Sequence, residues 1–232
     1  MFKSKKDIVF IILAGIFITN ALVAELIGGK LIQIAGFTFS IGILLWPIVF
    51  LTTDLINEYF GKLGVRRLTF LTAGLISYAF IVLVFAMKIP ATDFSPVKDQ
   101  EFNIVFGQSS WIIVGSLVAF IVSQLLDIYI FGQFKKRTGD NHIWLRATGS
   151  TVFSQFIDTF LVLGIAFYLH GKITLNQFIT IGLTGYFAKL IIAICLTPFI
   201  YLAHSVISNY IGKKEDTFSN DNIPSNDNIL DN

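Results

Sequence analysis

Apolar residues run along this chain in stretches far longer than any amphipathic repeat, and the polar residues gather between them. Windows of about 19 residues, long enough to cross a bilayer as a helix, place apolar spans near 8–27, 37–56, 68–87, 111–131, 148–169 and 178–204. Runs of this length without a polar face read as membrane-crossing helices, not as half-buried soluble ones. The expected fold is all-α: a polytopic integral membrane protein of about six transmembrane helices, forming a single domain over residues 1–212.

The interruptions refine this picture. Trp46-Pro47 breaks into the second span and Thr197-Pro198 into the sixth, and proline frees a carbonyl and permits a kink. The connection 88–110 carries Pro90, Pro96, Asp93, Asp99 and Glu101 and reads as a polar external loop. Lys3, Lys5 and Lys6 ahead of an apolar run resemble a signal peptide. That run continues from Ile8 to Ile27 without a small-residue cleavage pattern, so it is read as an uncleaved first span. Residues 213–232, rich in Asp, Asn and Ser with a single Pro224, are expected to form a disordered cytoplasmic tail.

Composition agrees: 54% of the residues are hydrophobic and 14% charged, where soluble domains carry about 25% charged residues. Six helices with short loops leave no room for a separate soluble domain. Of the 17 Lys and Arg, 12 fall on one side of the spans, four on the other (Lys30, Lys88, Lys98, Lys172), and Lys189 lies within one. By the positive-inside rule both termini face the cytoplasm, placing the chain in the cell's plasma or inner membrane. A net charge of +2 in short clusters is no nucleic-acid footprint. The lone Cys195 excludes an intrachain disulfide or a Cys-based metal site. His142, His170 and His204 are scattered, and neither H-E-x-x-H nor G-x-x-x-x-G-K-[ST] occurs, so no enzyme, metal or cofactor is expected.

Ionisable groups at membrane depth cost several kcal/mol and mark functional sites by default. Four such groups stand out: Asp54, Asp127, Asp158 and Lys189. Thr151, Gln155 and Asp158 share one helical face, with Ser154 beside them. Ser123, Gln124 and Asp127 repeat the arrangement on the preceding span, an echo of five residues that is too short to establish a duplication. Lys189 has no acidic residue on its own helix, so its counter-charge comes from another helix or from a ligand. The structural alternative is interhelical cross-linking, with Lys189 paired to Asp158 or Asp127. Asn20 is a pore-facing candidate, Glu25 falls at headgroup depth, and Glu58 is interfacial, within reach of Arg66 or Arg67. Among the aromatics, Phe50, Tyr59, Phe156 and Tyr186 are placed to stack on a planar ligand.

These segments resemble the queuosine precursor transporter family from about Asn20 to Tyr201. The resemblance is carried by Trp46-Pro47-Ile48-Val49-Phe50-Leu51-Thr52-Thr53-Asp54-Leu55 with Glu58 and Gly61, and by Gln124-x-x-Asp127-x-x-x-Phe131. Arg146-Ala147-x-x-Ser150-Thr151 leading to Asp158-Thr159, and Lys189 followed by Pro198 and Tyr201, complete it. It implies uptake of 7-cyano-7-deazaguanine, and of its aminomethyl relative, for queuosine modification of tRNA; the tRNA itself is not a ligand. A carboxylate can accept both adjacent N–H donors of a 7-deazaguanine, a role expected of Asp158 first and Asp127 second. Lys189 would then donate to the ring carbonyl, and Gln124 and Gln155 would reach ring nitrogens. A substrate-capture subunit of a multi-component vitamin importer, or a carrier for another small heterocycle, fits the same residues. Energy coupling and oligomeric state, a homo-oligomer included, stay open at this level.

Overall fold

The computed structural model describes residues 4–34, 37–107, 110–138 and 143–212. Lys3, Lys213, Lys214 and the expected tail over 213–232 lie outside them. Helix α1 (Lys5–Ile27) starts on a capping box in which Ser4 and Asp7 satisfy each other's backbone amides at 3.1 Å. Its inner face, Val9, Leu13, Phe17, Ala21 and Ala24, is buried, while Ile11, Ile12 and Ile16 point outward. A helix apolar on both faces suits a bilayer, where lipid rather than water meets the outer one.

Two strands follow, β1 (Leu31–Ile34) and β2 (Phe37–Ser40), paired antiparallel with Leu31 opposite Ser40 and Ile34 opposite Phe37. A 3₁₀ turn (Ile41–Leu44) leads into helix α2 (Trp46–Ala86). The second span therefore begins at Trp46, with Pro47 in the first turn where its missing N–H costs nothing. The expected start at residue 37 is replaced by the hairpin strand. Gly42 at this junction lies so close to α1 that a Cβ would stand 2.7 Å from the Ala24 carbonyl oxygen.

The expected second and third spans are both carried by α2, which is broken at Gly61 (φ 68°, ψ 178°), a conformation open chiefly to glycine. Lys62, Arg66 and Arg67 follow at once. The loop after α2 contains the short helix α3 (Asp99–Phe106), which buries none of its residues. Helix α4 (Ser110–Thr138), helix α5 (Ile143–Leu163) with a π-helical extension (Gly164–Tyr168), and helix α6 (Leu175–Ile211) complete the bundle. Among the described residues five helical stretches are long and apolar enough to cross a membrane, the broken α2 counting once. The chain is thus an all-α, multi-pass membrane protein.

The most extensive interface joins α4 to α5. The two run antiparallel: Gly115 meets Ala166, Ser123 meets Asp158, Asp127 meets Ser154, and Phe134 meets Gly149. Small residues let the helices approach closely: a Cβ at Gly149 would collide with the Phe134 ring at 2.9 Å, and one at Gly115 would crowd the Ala166 nitrogen at 3.2 Å. Between the large buried apolar residues Phe17, Phe50, Phe120 and Phe131, this interface carries the polar groups that matter below.

Candidate functional site

The five-residue echo acquires a physical meaning in three dimensions. Ser123 of α4 donates to Asp158 Oδ1 of α5 at 3.2 Å, and Ser154 of α5 donates to Asp127 Oδ1 of α4 at 2.9 Å. Each Ser-Gln-x-x-Asp motif supplies the hydroxyl that the other motif's carboxyl accepts. Two antiparallel helices exchanging identical bonds are related by a local two-fold axis across their length, which lies in the membrane plane when both span it. All four side chains are buried, as are Gln124 and Gln155 beside them.

On one side of this pair, Lys189 of α6 places its ammonium 2.7 Å from Asp158 Oδ2. Asp158 thus accepts from a hydroxyl at one oxygen and an ammonium at the other, which compensates its burial. Glu25 of α1 is buried within the protein, accepts a 2.9 Å bond from Ser116 of α4, and lies near enough to Asp158 and Lys189 to interact with both electrostatically. It sits two residues from the end of α1, and the approach of α4 encloses it.

On the other side, Asp127 accepts from Ser154 of α5, and the Asp54 carboxyl of α2 is its electrostatic neighbour. Ser150 of α5 lies against Asp54, with its hydroxyl 3.5 Å from Asp54 Oδ1. The sequence-predicted carboxyls therefore divide: Asp158 belongs with Lys189, and Asp127 with Asp54.

The same helices carry buried polar atoms whose capacity the fold leaves unused. Gln124 Oε1 accepts from Thr53 at 2.9 Å, but Gln124 Nε2 has no partner, nor have Gln155 Nε2 and Oε1, Thr159 Oγ1 and Asn57 Nδ2. Gln124 and Gln155 are 0% exposed. A buried polar atom left unpaired costs about 1–3 kcal/mol, so these side chains hold unused capacity for donors and acceptors. Asn57 and Thr159 are not among the site residues expected from the sequence; the signal that points to them is position, Asn57 one turn from Asp54 and Thr159 next to Asp158.

Asn20 is not brought into this cluster: half-buried, its amide donates to the Ile16 carbonyl of its own helix at 2.8 Å. Of the aromatic candidates, Tyr59 is engaged elsewhere. Its hydroxyl shares a 2.7 Å bond with His204 Nδ1 and lies 3.0 Å from the His204 carbonyl, tying α2 to α6. Phe156 packs on Phe160 and Tyr186. Glu58 pairs with Lys135 of α4 at 3.2 Å, where the sequence suggested Arg66 or Arg67. Beside Asp54, a cavity of about 20 Å³ opens between Pro47, Thr151, Ala193 and Thr197, room for a single water.

A multi-pass bundle that turns one ion pair, two further carboxyls and several unpaired amide and hydroxyl groups inward is a membrane transporter for a small polar molecule. Residues 40–203 match the family described as "Putative vitamin uptake transporter", and the chain belongs to that family. It is 29% identical over 182 residues to a "Probable queuosine precursor transporter" of Bacillus subtilis (strain 168), covering 78% of either chain. To the "Queuosine precursor transporter" of Escherichia coli (strain K12) it is 28% identical over 187 residues, 79% of either chain. A "Probable queuosine precursor transporter" of Haemophilus influenzae is 28% identical over 190 residues, 79% of this chain and 74% of the relative. No solved structure matches the chain.

Proposed function

We propose that this protein imports queuosine precursors, 7-cyano-7-deazaguanine with its 7-aminomethyl relative as a second solute, for tRNA queuosine modification. The observation that carries the reading is the buried Asp158–Lys189 pair, together with the unpaired buried groups on Gln124, Gln155 and Thr159 of the same two helices, α4 and α5, that meet at Asp158. A deazaguanine edge offers adjacent N–H donors, a carbonyl and ring nitrogens, the complement of a carboxylate, an ammonium and two amides. The names of the relatives in Bacillus subtilis and Escherichia coli point to the same solute class.

In this reading Asp158 accepts from the guanidine-like edge, Lys189 donates to the ring carbonyl, and Gln124 and Gln155 bind ring nitrogens. The solute must loosen the 2.7 Å ion pair to reach both partners, so binding and helix movement are linked. Admission also requires helices to part, because the cavity beside Asp54, at about 20 Å³, is far too small for a bicyclic ring. The Tyr59–His204 and Glu58–Lys135 contacts close α2 against α6 and α4, and they are the bonds that open when the chamber faces the basic side. The distribution of Lys and Arg supports a cell-membrane orientation with both termini cytoplasmic, which makes that opening the exit.

The test is a bacterium that can neither make nor import 7-deazaguanines. Expression of this chain, with 7-cyano-7-deazaguanine supplied at low micromolar concentration, is expected to restore queuosine in tRNA. Absence of restoration by well-expressed protein in the membrane would turn the assignment to another solute.

A further inference from the structure

The local two-fold relation between α4 and α5 makes Asp127 and Asp158 structural equivalents, yet their surroundings differ in one respect. Asp158 Oδ1 accepts from Ser123 and its Oδ2 accepts from the Lys189 ammonium. Asp127 Oδ1 accepts from Ser154, but its Oδ2 receives no hydrogen bond. Asp54 of α2 meets Ser150, one turn along α5 from the Ser154 that donates to Asp127, so the group near Asp127 is a second carboxyl where Asp158 has a cation.

Both carboxyls are out of solvent, Asp127 at 0% and Asp54 at 1% exposure. The groups facing them are the hydroxyls of Ser150 and Ser154 on α5, and Glu58 one turn along α2, which is held by Lys135. Among the described residues no Lys or Arg forms an ion pair with Asp54 or Asp127. Two adjacent buried carboxyls with no fixed counter-charge hold together only when a positive charge is shared between them. The water-sized cavity that touches Asp54 and Thr151 gives a small ion room beside Asp54.

We propose that Asp54 and Asp127 form a site for an exchangeable monovalent cation, a proton or an alkali ion, that takes the place the Lys189 ammonium holds in the equivalent half and couples its own entry to solute import. The inference rests on the transporter reading above and assigns these two carboxyls to the cation rather than to the solute. With the cation bound, α2 closes on α4 and α5; its release toward the cytoplasm leaves two facing carboxylates that drive α2 away and open the chamber.

Two measurements on the purified full-length protein test this. The first needs no solute: melting temperature in detergent, titrated with NaCl against choline chloride at fixed pH, and then with pH at fixed salt. A cation that binds only the folded site raises the melting temperature. One of the two titrations is expected to do so in the wild type and to have little effect in Asp54→Asn and Asp127→Asn. Equal responses in all three proteins, or none in the wild type, would overturn the cation site. The second uses liposomes and labelled 7-cyano-7-deazaguanine, comparing counterflow without an ion gradient with accumulation under an inward proton or sodium gradient. One gradient is expected to drive accumulation, and the ratio of accumulation to counterflow is expected to fall about tenfold in either variant, the scale of a typical coupling energy. Counterflow in the wild type with accumulation under neither gradient would overturn coupling while leaving the solute assignment standing. Absent counterflow would sink the solute assignment, and the melting titrations would still decide the cation site.

Discussion

Lys189 Nζ lies 2.7 Å from Asp158 Oδ2 across the α5–α6 interface, and both residues are buried. Removing one member of such a pair strands the other charge, at a cost of about 3–5 kcal/mol. Lys189→Met alone is therefore expected to lower the melting temperature of the purified protein sharply. The double variant Asp158→Asn/Lys189→Met, which strands nothing, is expected to regain most of that loss. Import should stay absent in both, since neither retains the charges that read the solute. Uptake by the double variant at the wild-type rate would reduce the pair to a structural cross-link.

The reciprocal bonds Ser123 to Asp158 and Ser154 to Asp127 each place a hydroxyl on a buried carboxyl. Hydrogen bonds to charged groups contribute about 1.5–3 kcal/mol, so Ser123→Ala and Ser154→Ala should each destabilise the protein on that scale, measured by thermal or denaturant unfolding in detergent. The two-fold relation leads to similar losses. A large effect at one serine and none at the other would show that the halves are equivalent in geometry but not in energy.

Glycine packing gives a contrast inside one molecule. A Cβ at Gly182 of α6 would stand 2.6 Å from the Phe160 ring of α5, whereas at Gly74 of α2 it meets nothing within 4 Å. Gly182→Ala overpacks the interface and is expected to cost about 1–3 kcal/mol, with Phe160→Leu in the same chain restoring much of it. Gly74→Ala removes only backbone freedom in a helix and is expected to stabilise by about 0.5–1 kcal/mol. Melting temperatures of the three variants check both signs.

Much of this arrangement is legible in the chain itself, because a bilayer demands long apolar runs and penalises every charge within them. The apolar spans and the ionisable residues Asp54, Asp127, Asp158 and Lys189 within them follow from that demand alone, as does the need of Lys189 for a counter-charge from another helix or a ligand, which the structure supplies from Asp158. What escapes is whatever hydropathy cannot distinguish. Residues Leu31–Ile34 and Phe37–Ser40 are apolar enough to extend a helix, yet they pair as strands, so the second span starts later than its hydropathy suggests. Glu25 is buried through the tertiary approach of Ser116, which lies 91 residues away. The five-residue echo is weak as sequence, and its meaning depends on α4 and α5 lying antiparallel in one register.

Direct binding to the purified protein tests the central claim most sharply. Calorimetric titration with 7-cyano-7-deazaguanine, run in parallel on the wild type and on Gln155→Leu and Asp158→Asn variants shown to be folded by their melting curves, is expected to give saturable binding to the wild type. The leucine variant should bind at least about tenfold more weakly, the cost of about one lost buried hydrogen bond in free energy, and the asparagine variant should bind more weakly still. Equal affinity in all three proteins, or no binding to folded wild type, would contradict a deazaguanine site built on Asp158 and the buried amides.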